Sequence, residues 1–307
     1  MITSRERYRG ALLGLAAGDA VGTTVEFAPP GTFPPVTDMV GGGPFRLQAG
    51  EWTDDTSMAL CLAESLIEQR GFDAADQMGR YVRWRSHGHL SSNGRCFDIG
   101  NTVAAALRRF EATGDPWAGS TDPHSAGNGS IMRLAPVPLF YAADAAQAIA
   151  LSGDSSRPTH GAPACVDACR YLGGLLVGAL RGETKEALLA PLYHPVPGAT
   201  WADLDPAIAN VAGGSFTRQS PPAIKGSGYV VESLEAALWA FHNSETFEAG
   251  CLLAVNLGHD ADTTAAVYGQ LAGAYYGDSA IPAHWRDSLA HRNLIIAFAD
   301  RLHDLAQ

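Results

Sequence analysis

The chain is short of basic residues, of cysteine and of alternating apolar–polar runs. Lys and Arg total 21 against 32 Asp and Glu, a net charge of −11. Nucleic-acid backbones need a basic surface, so general nucleic-acid binding is excluded. A small anion held locally by metal ions and backbone amides is not. The five cysteines, at positions 61, 96, 165, 169 and 251, are odd in number and lie mostly inside helical patterns. That argues against a disulfide framework and for a reducing cytoplasm. Cys165 and Cys169, one helical turn apart, read as core packing rather than a metal pair. The N-terminus, Met1-Ile2-Thr3-Ser4-Arg5-Glu6-Arg7, lacks the apolar core of a signal peptide. No apolar run approaches membrane-spanning length, so no membrane partner is expected. Scarce alternation leaves little material for a sheet.

Helical patterns fill most of the rest. Thr3 and Glu6 form a capping box that opens a helix with Tyr8, Ala11, Leu12 and Leu15 on one side. Further helical runs follow Met58–Leu66, Met78–Val82, Val103–Phe110, Thr159–Arg181, Tyr229–Phe241, Phe247–Val255, Asp262–Tyr276 and Leu294–Leu302. The Pro- and Gly-rich stretch from Ala28 to Gly50 reads as a long loop with a short hairpin around Phe45 and Leu47. Glycines recur every four residues at 10, 14, 18 and 22, at 174, 178 and 182, and at 269, 273 and 277. Glycine inside a helix costs about 1 kcal/mol against alanine. Such stripes therefore predict helices whose backbones pack closely. The 46% apolar content is ample for a core. No composition break suggests a linker. The expectation is all-α: a single compact multi-helix bundle spanning 1–307, closed end to end and monomeric.

Two stretches dominate the chemistry. One is Glu51-Trp52-Thr53-Asp54-Asp55-Thr56. The other is Gly258-His259-Asp260-Ala261-Asp262-Thr263-Thr264. Each places two carboxylates and a threonine hydroxyl at a helix mouth, where free amides and the helix dipole favour anions. Ordinary N-capping explains one such residue per helix, not two. Brought together, the four carboxylates would repel strongly, and two divalent cations would balance them. Oxygen-only ligands select hard ions, so Mg²⁺ or Mn²⁺ comes first and Ca²⁺ second. His259 borders this site and reads as packing.

Other candidates are less specific. Glu26, among apolar and β-branched neighbours, would have a raised pKa suited to a proton donor or base. A structural hydrogen bond to the backbone is the competing reading. Asp98 sits between apolar residues near a helix mouth, where a cap fits equally well. Gly127-Asn128-Gly129-Ser130, at an expected helix start, could present amides to a phosphate, although glycines also make plain turns. Tyr229, after Gly226-Ser227-Gly228, could lie beside a base or ribose, and His160 sits next to a helix start. Both residue types are more often structural.

Together these residues resemble the ADP-ribosylglycohydrolase family over nearly the whole chain. The likeness rests on five motifs in order: Gly18-Asp19-Ala20-Val21-Gly22 with Glu26, Trp52-Thr53-Asp54-Asp55-Thr56, Phe97-Asp98-Ile99-Gly100, Gly127-Asn128-Gly129-Ser130 with Met132-Arg133, and Gly258-His259-Asp260-Ala261-Asp262-Thr263. The resemblance implies an all-helical domain with two Mg²⁺ or Mn²⁺ ions at the base of a cleft. It implies metal ligands at Thr53, Asp54, Asp55, Asp260, Asp262 and Thr263. ADP-ribose contacts are implied at Ser125, Gly127, Asn128, Gly129 and Ser130, and at His160 and Tyr229. Glu26 and Asp98 fall where members carry acidic residues implicated in catalysis. Ala126 departs from relatives that place an aromatic there, so adenine stacking must come from elsewhere or be weaker.

The expected reaction is hydrolysis of the N-glycosidic bond joining a protein arginine to ADP-ribose, with the ADP-ribosylated protein as substrate and ADP-ribose as product. Alternatives are cleavage of O-linked serine or poly-ADP-ribose bonds, a two-metal phosphohydrolase of nucleotide diphosphates, and an inactive ADP-ribose-binding relative.

Overall fold

The computed structural model describes residues 2–201 and 203–306. Among them the chain forms fourteen α-helices and no β-strand, only three isolated β-bridges. In chain order the helices are α1 (Ser4–Gly22), α2 (Asp54–Gln69), α3 (Ala74–His87), α4 (Asn101–Thr113), α5 (Pro136–Phe140), α6 (Ala145–Ser156) and α7 (Pro163–Leu180). Then come α8 (Lys185–Leu188), α9 (Pro206–Ala212), α10 (Val230–His242), α11 (Phe247–Val255), α12 (Ala261–Tyr276), α13 (Ala283–Ser288) and α14 (Arg292–Leu305). One contiguous apolar core runs from Tyr8 in α1 to Leu302 in α14. All five cysteines are free, and all but Cys96 are buried.

Local chemistry sets the helix ends. The capping box is formed: Thr3 Oγ1 accepts from the Glu6 amide, and the Glu6 carboxylate accepts from the Thr3 amide at 2.6 Å. Asp73 caps α3 by accepting from the amides of Ala75 and Asp76. The helix expected from Thr159 begins only at Pro163. Ala162 before it is extended (ψ 138°), as a residue preceding proline prefers.

The central feature is the contact between α1 and α12. A Cβ on Gly10, Gly14 or Gly18 would lie 2.1, 2.3 or 2.1 Å from the carbonyl oxygens of Gly273, Gly269 and Ala265. One on Gly22 would lie 2.4 Å from Asp262 Cα. The relation is reciprocal, since Gly269 and Gly273 meet the carbonyls of Gly14 and Gly10. The two stripes mesh antiparallel, backbone on backbone, and so draw the first residues of α12 down beside the end of α1.

Four further expectations need correction. The stripe at Gly174, Gly178 and Gly182 does not face a helix backbone: Gly174 makes room for Pro195 and Trp201, Gly178 for Tyr193 and Leu188, and Gly182 lies beyond α7 at φ 78°. The stretch after Gly127 forms turns rather than a helix until Pro136. Asn128 donates its amide to Gly228 O, and Val230 donates to Ala126 O, which clamps this loop to the segment before α10. Finally, α7 is long and apolar enough to cross a membrane by length and composition. It is 89% buried inside the molecule, as a core helix is. The expected hairpin reduces to a single antiparallel bridge between Gly42 and Leu47.

Candidate active site and metal centre

The two acidic helix mouths meet. Thr53 Oγ1 lies 3.4 Å from Asp262 Oδ2, and Thr263 Oγ1 lies 3.4 Å from Asp55 Oδ2, across more than 200 residues of sequence. Neither Thr53 before α2 nor Asp260 before α12 makes a side-chain cap bond. Asp98, with Gly100 as the extended residue before α4, caps nothing either. The capping explanation therefore fails for these motifs. Asp19, inside α1, takes over that work at α2. Its carboxylate accepts from the amides of Thr53 (2.8 Å) and Thr56 (3.0 Å) and from the Thr56 hydroxyl (2.6 Å). Asp54 and Asp55 are left free for the site. In the sequence Asp19 belongs to a motif but carries no assigned role. Its signal was a carboxylate one residue from a glycine of the close-packed stripe.

The carboxylates crowd one another. Oxygens of Glu26, Asp98 and Asp262 lie within 4.8 Å of each other, with Glu26 and Asp262 buried and Asp98 half-buried. This group crosses the expected division between metal ligands and acids. Two unit charges about 4 Å apart at an effective dielectric near 20 repel by about 4 kcal/mol. Burial and mutual repulsion push Asp54, Asp55 and Asp262 well above the usual carboxylate range. Burial, then the charges of Asp98, Asp260 and Asp55, push Glu26 up to about 10. Asp98 rises to about 7, mainly from burial, with a hydrogen bond from Glu26 holding it lower. Asp19 rises to about 6 by burial, restrained by its bonds to Thr56 and Thr53.

The residues fit hard cations. Asp55 Oδ1, Asp262 Oδ1 and Glu26 Oε2 are buried and have no hydrogen-bond partner. Buried carboxylate oxygens are rarely left so, and an ion is a standard explanation. The donors are all oxygens, which suits Mg²⁺, Mn²⁺ or Ca²⁺. Asp260 stands somewhat apart, because its Oδ2 accepts from Asn128 Nδ2 at 2.8 Å.

Above this floor opens a cleft of about 470 Å³, lined by Glu26, Asp54, Asp98, Asp260 and Thr263 on one side. Gly127, Asn128, Gly129 and His160 line the other. Thr53, Asp55 and Asp262 lie beneath it. Of the other expected contact residues, Ser125 turns its hydroxyl to Asp122 O (2.7 Å) and Ser130 is buried, and neither lines the cleft. Tyr229 is 43% exposed and joins the loop through its backbone pairing with Gly127. His259 adopts φ 56° and exchanges backbone hydrogen bonds with Phe27 and Ala28, which ties the Glu26 segment to the start of α12. Its side chain is exposed, so the tie is made by its backbone and not by packing of the ring.

Fold and site together define an all-helical enzyme with an acidic cleft beside a glycine-rich loop. The family model described as ADP-ribosylglycohydrolase matches residues 1–307. The chain is 48% identical over 301 residues to "ADP-ribosylarginine hydrolase Tri1" of Pseudomonas putida (strain GB-1), covering 98% of this chain and 79% of that one. It is 45% identical over 303 residues to the protein of the same name in Serratia proteamaculans (strain 568), covering 99% and 80%. A solved structure titled "ADP-ribosylglycohydrolase-related protein complex" aligns with a TM-score of 0.86 at 49% identity, covering 99% of both chains. The chain belongs to the ADP-ribosylglycohydrolase family.

Proposed function

We propose that this protein hydrolyses the N-glycosidic bond between an arginine side chain and C1 of the distal ribose of ADP-ribose, acting as a single domain. The observation that carries this reading is the meeting of Thr53, Asp55, Asp262 and Thr263 at the base of the cleft, with Glu26 and Asp98 beside them. The arginine linkage is supported by the names of the two Tri1 relatives.

Two divalent cations, Mg²⁺ or Mn²⁺, would be held by Thr53, Asp54, Asp55, Asp260, Asp262 and Thr263, with Glu26 and Asp98 close enough to share them. Bound there, such ions supply positive charge that orients ribose hydroxyls and stabilises negative charge developing on oxygen. The chain's own groups handle protons. Hydrolysis breaks C1–N, forms C1–O, and moves one water proton to the departing guanidine nitrogen. Glu26, buried beside Asp98 at the cleft and raised mainly by that burial, is the proton donor. Asp98, pushed up to about 7 and hydrogen-bonded to Glu26, is the group that takes a proton from water. The two act as a carboxyl pair with separated pKa values, the arrangement glycosidases use. Gly127, Asn128 and Gly129 would face the diphosphate, with Tyr229 at the nucleoside end.

Product analysis tests the reading. Incubation with arginine-linked ADP-ribose and Mg²⁺ or Mn²⁺ releases intact ADP-ribose and unmodified arginine. Release of AMP instead would assign the site to phosphoryl chemistry, and cleavage confined to serine-linked substrate would move the scissile bond to oxygen.

A further inference from the structure

Arg133 is a buried cation without an anion. It is 1% exposed, and no carboxylate pairs with it among the described residues. Its Nε has no hydrogen-bond partner. Its guanidinium lies over the Tyr81 ring, 4.7 Å from the centroid. Burying a full charge unpaired is expensive, so its two strong contacts call for a reason. Both lead to the cleft.

The first contact is Nη1 donating to Gly129 O at 2.8 Å. In a planar trans peptide the carbonyl and the next N–H point in opposite directions. With the Gly129 carbonyl turned to Arg133, the orientation of the Gly129–Ser130 peptide beside the cleft is fixed. The amides of Gly129 and Ser130 have no backbone acceptor among the described residues.

The second contact is Nη2 donating to Thr159 Oγ1 at 2.6 Å, and Thr159 Oγ1 lies 2.8 Å from His160 Nδ1. Guanidinium only donates, so the threonine oxygen accepts from it. Thr159 is fully buried and has no other acceptor for its own proton among the described residues. That proton goes to Nδ1. Burial and the nearby Arg133 charge hold His160 down to about 3, so the ring is neutral, and its one proton sits on Nε2. The Nε2 edge faces the loop: a Cβ on Gly127 would meet Nε2 at 3.4 Å, and one on Gly129 would meet Cε1 at 2.8 Å. The loop's two glycines are therefore required by the space this ring occupies.

We propose that Arg133 is the positioning residue of an anion subsite, fixing through Thr159 the Nε2–H tautomer of His160 and through the Gly129 carbonyl the course of the loop that lines the cleft. One buried guanidinium thus aims a neutral donor, His160 Nε2–H, at the anion and adds a long-range positive field without touching the ligand. The anion is the diphosphate of ADP-ribose, so the binding half of this inference rests on the function proposed above. The tautomer does not.

The experiment pairs nitrogen NMR of the ¹⁵N-histidine-labelled full chain with ADP-ribose titration by calorimetry. In the wild type, His160 shows a protonated Nε2 and a bare Nδ1 throughout about pH 5–8, where an ordinary histidine titrates. Thr159→Val keeps the side-chain shape and removes the hydroxyl. It loses the tautomer preference and binds ADP-ribose about ten- to a hundredfold more weakly, the scale of one lost hydrogen bond to a charged group. Thr159→Ser restores both readouts, which a merely structural lesion does not predict. An Nδ1–H tautomer in the wild type overturns the inference. So does a Thr159→Val variant with wild-type affinity, or a Thr159→Ser variant as weak as the valine. A wild type with the Nε2–H tautomer that fails to bind ADP-ribose overturns the function reading and the anion half, and leaves the Arg133–Thr159–His160 relay standing.

Discussion

Gly18→Ala tests how the fold builds the site. The added Cβ would stand 2.1 Å from Ala265 O, where ordinary contact begins near 3.4 Å, so the backbones must part by 3.4 − 2.1 = 1.3 Å. Neighbouring contacts at Gly14 and Gly22 prevent a local yield. Overpacking of this kind costs about 1–3 kcal/mol, here towards the upper end, and alanine returns about 1 kcal/mol of helix propensity. The net loss is about 2 kcal/mol. For a chain this long that lowers the melting temperature by about 4 °C. Asp262 lies three residues before Ala265 on α12 and moves with it. Metal ligands tolerate errors of only about 0.2 Å, so Mn²⁺ affinity falls at least about tenfold. Gly79→Ala is the control, because nothing lies within 4 Å of the new Cβ on α3. It should raise the melting temperature by about 1–2 °C and leave Mn²⁺ binding unchanged. Differential scanning calorimetry with Mn²⁺ titration reads both. A Gly18→Ala protein that melts at or above the wild type and binds Mn²⁺ normally refutes the close-packing argument.

Other outcomes follow from the same geometry. Asp262→Asn removes one charge from the cluster, so it should melt no lower than wild type in chelator, yet lose Mn²⁺-induced stabilisation and turnover together. Asp19→Ala removes the acceptor for two amides and a hydroxyl at the start of α2. The expected loss is about 2–3 kcal/mol, read as a melting shift of about 4–6 °C, with activity falling as the Thr53–Asp55 turn loosens. With chelator, stability should fall as pH rises from about 4 to 8. Glu26, Asp98 and Asp19 are pushed up to about 10, 7 and 6, so over that range the folded chain holds protons that the unfolded chain has released. Saturating Mn²⁺ balances the cluster's negative charge, lowers these raised values and should make the slope shallower. A slope unchanged by Mn²⁺ would show that the ions bind elsewhere.

The helices and acidic motifs were legible because their signals are local. Thr3–Glu6 marks a helix start within one turn, and the doubled carboxylates at 54–55 and 260–262 exceed what capping needs. The glycine stripes were legible as close packing, but their partners were not. The stripes on α1 and α12 mesh with each other, while the one on α7 receives Tyr193 and Trp201, and spacing alone is identical in the two cases. Roles that depend on long-range neighbours stayed hidden. Asp19 looks like any helical aspartate until α2 arrives above it. Arg133 looks like a surface cation until Tyr81, Thr159 and the Gly129 carbonyl close around it. The loop after Gly127 reads as a helix start because its clamp, the segment ending at Val230, lies about a hundred residues away.

The central claim is that two helix starts remote in sequence hold cations between them. Crystals soaked in Mn²⁺ and measured at the manganese absorption edge locate such ions directly. The account predicts anomalous peaks between Asp55 and Asp262 at the floor of the cleft, lost in Asp262→Asn. Peaks confined to the surface, or none at all with Mn²⁺ at millimolar concentration, would contradict it.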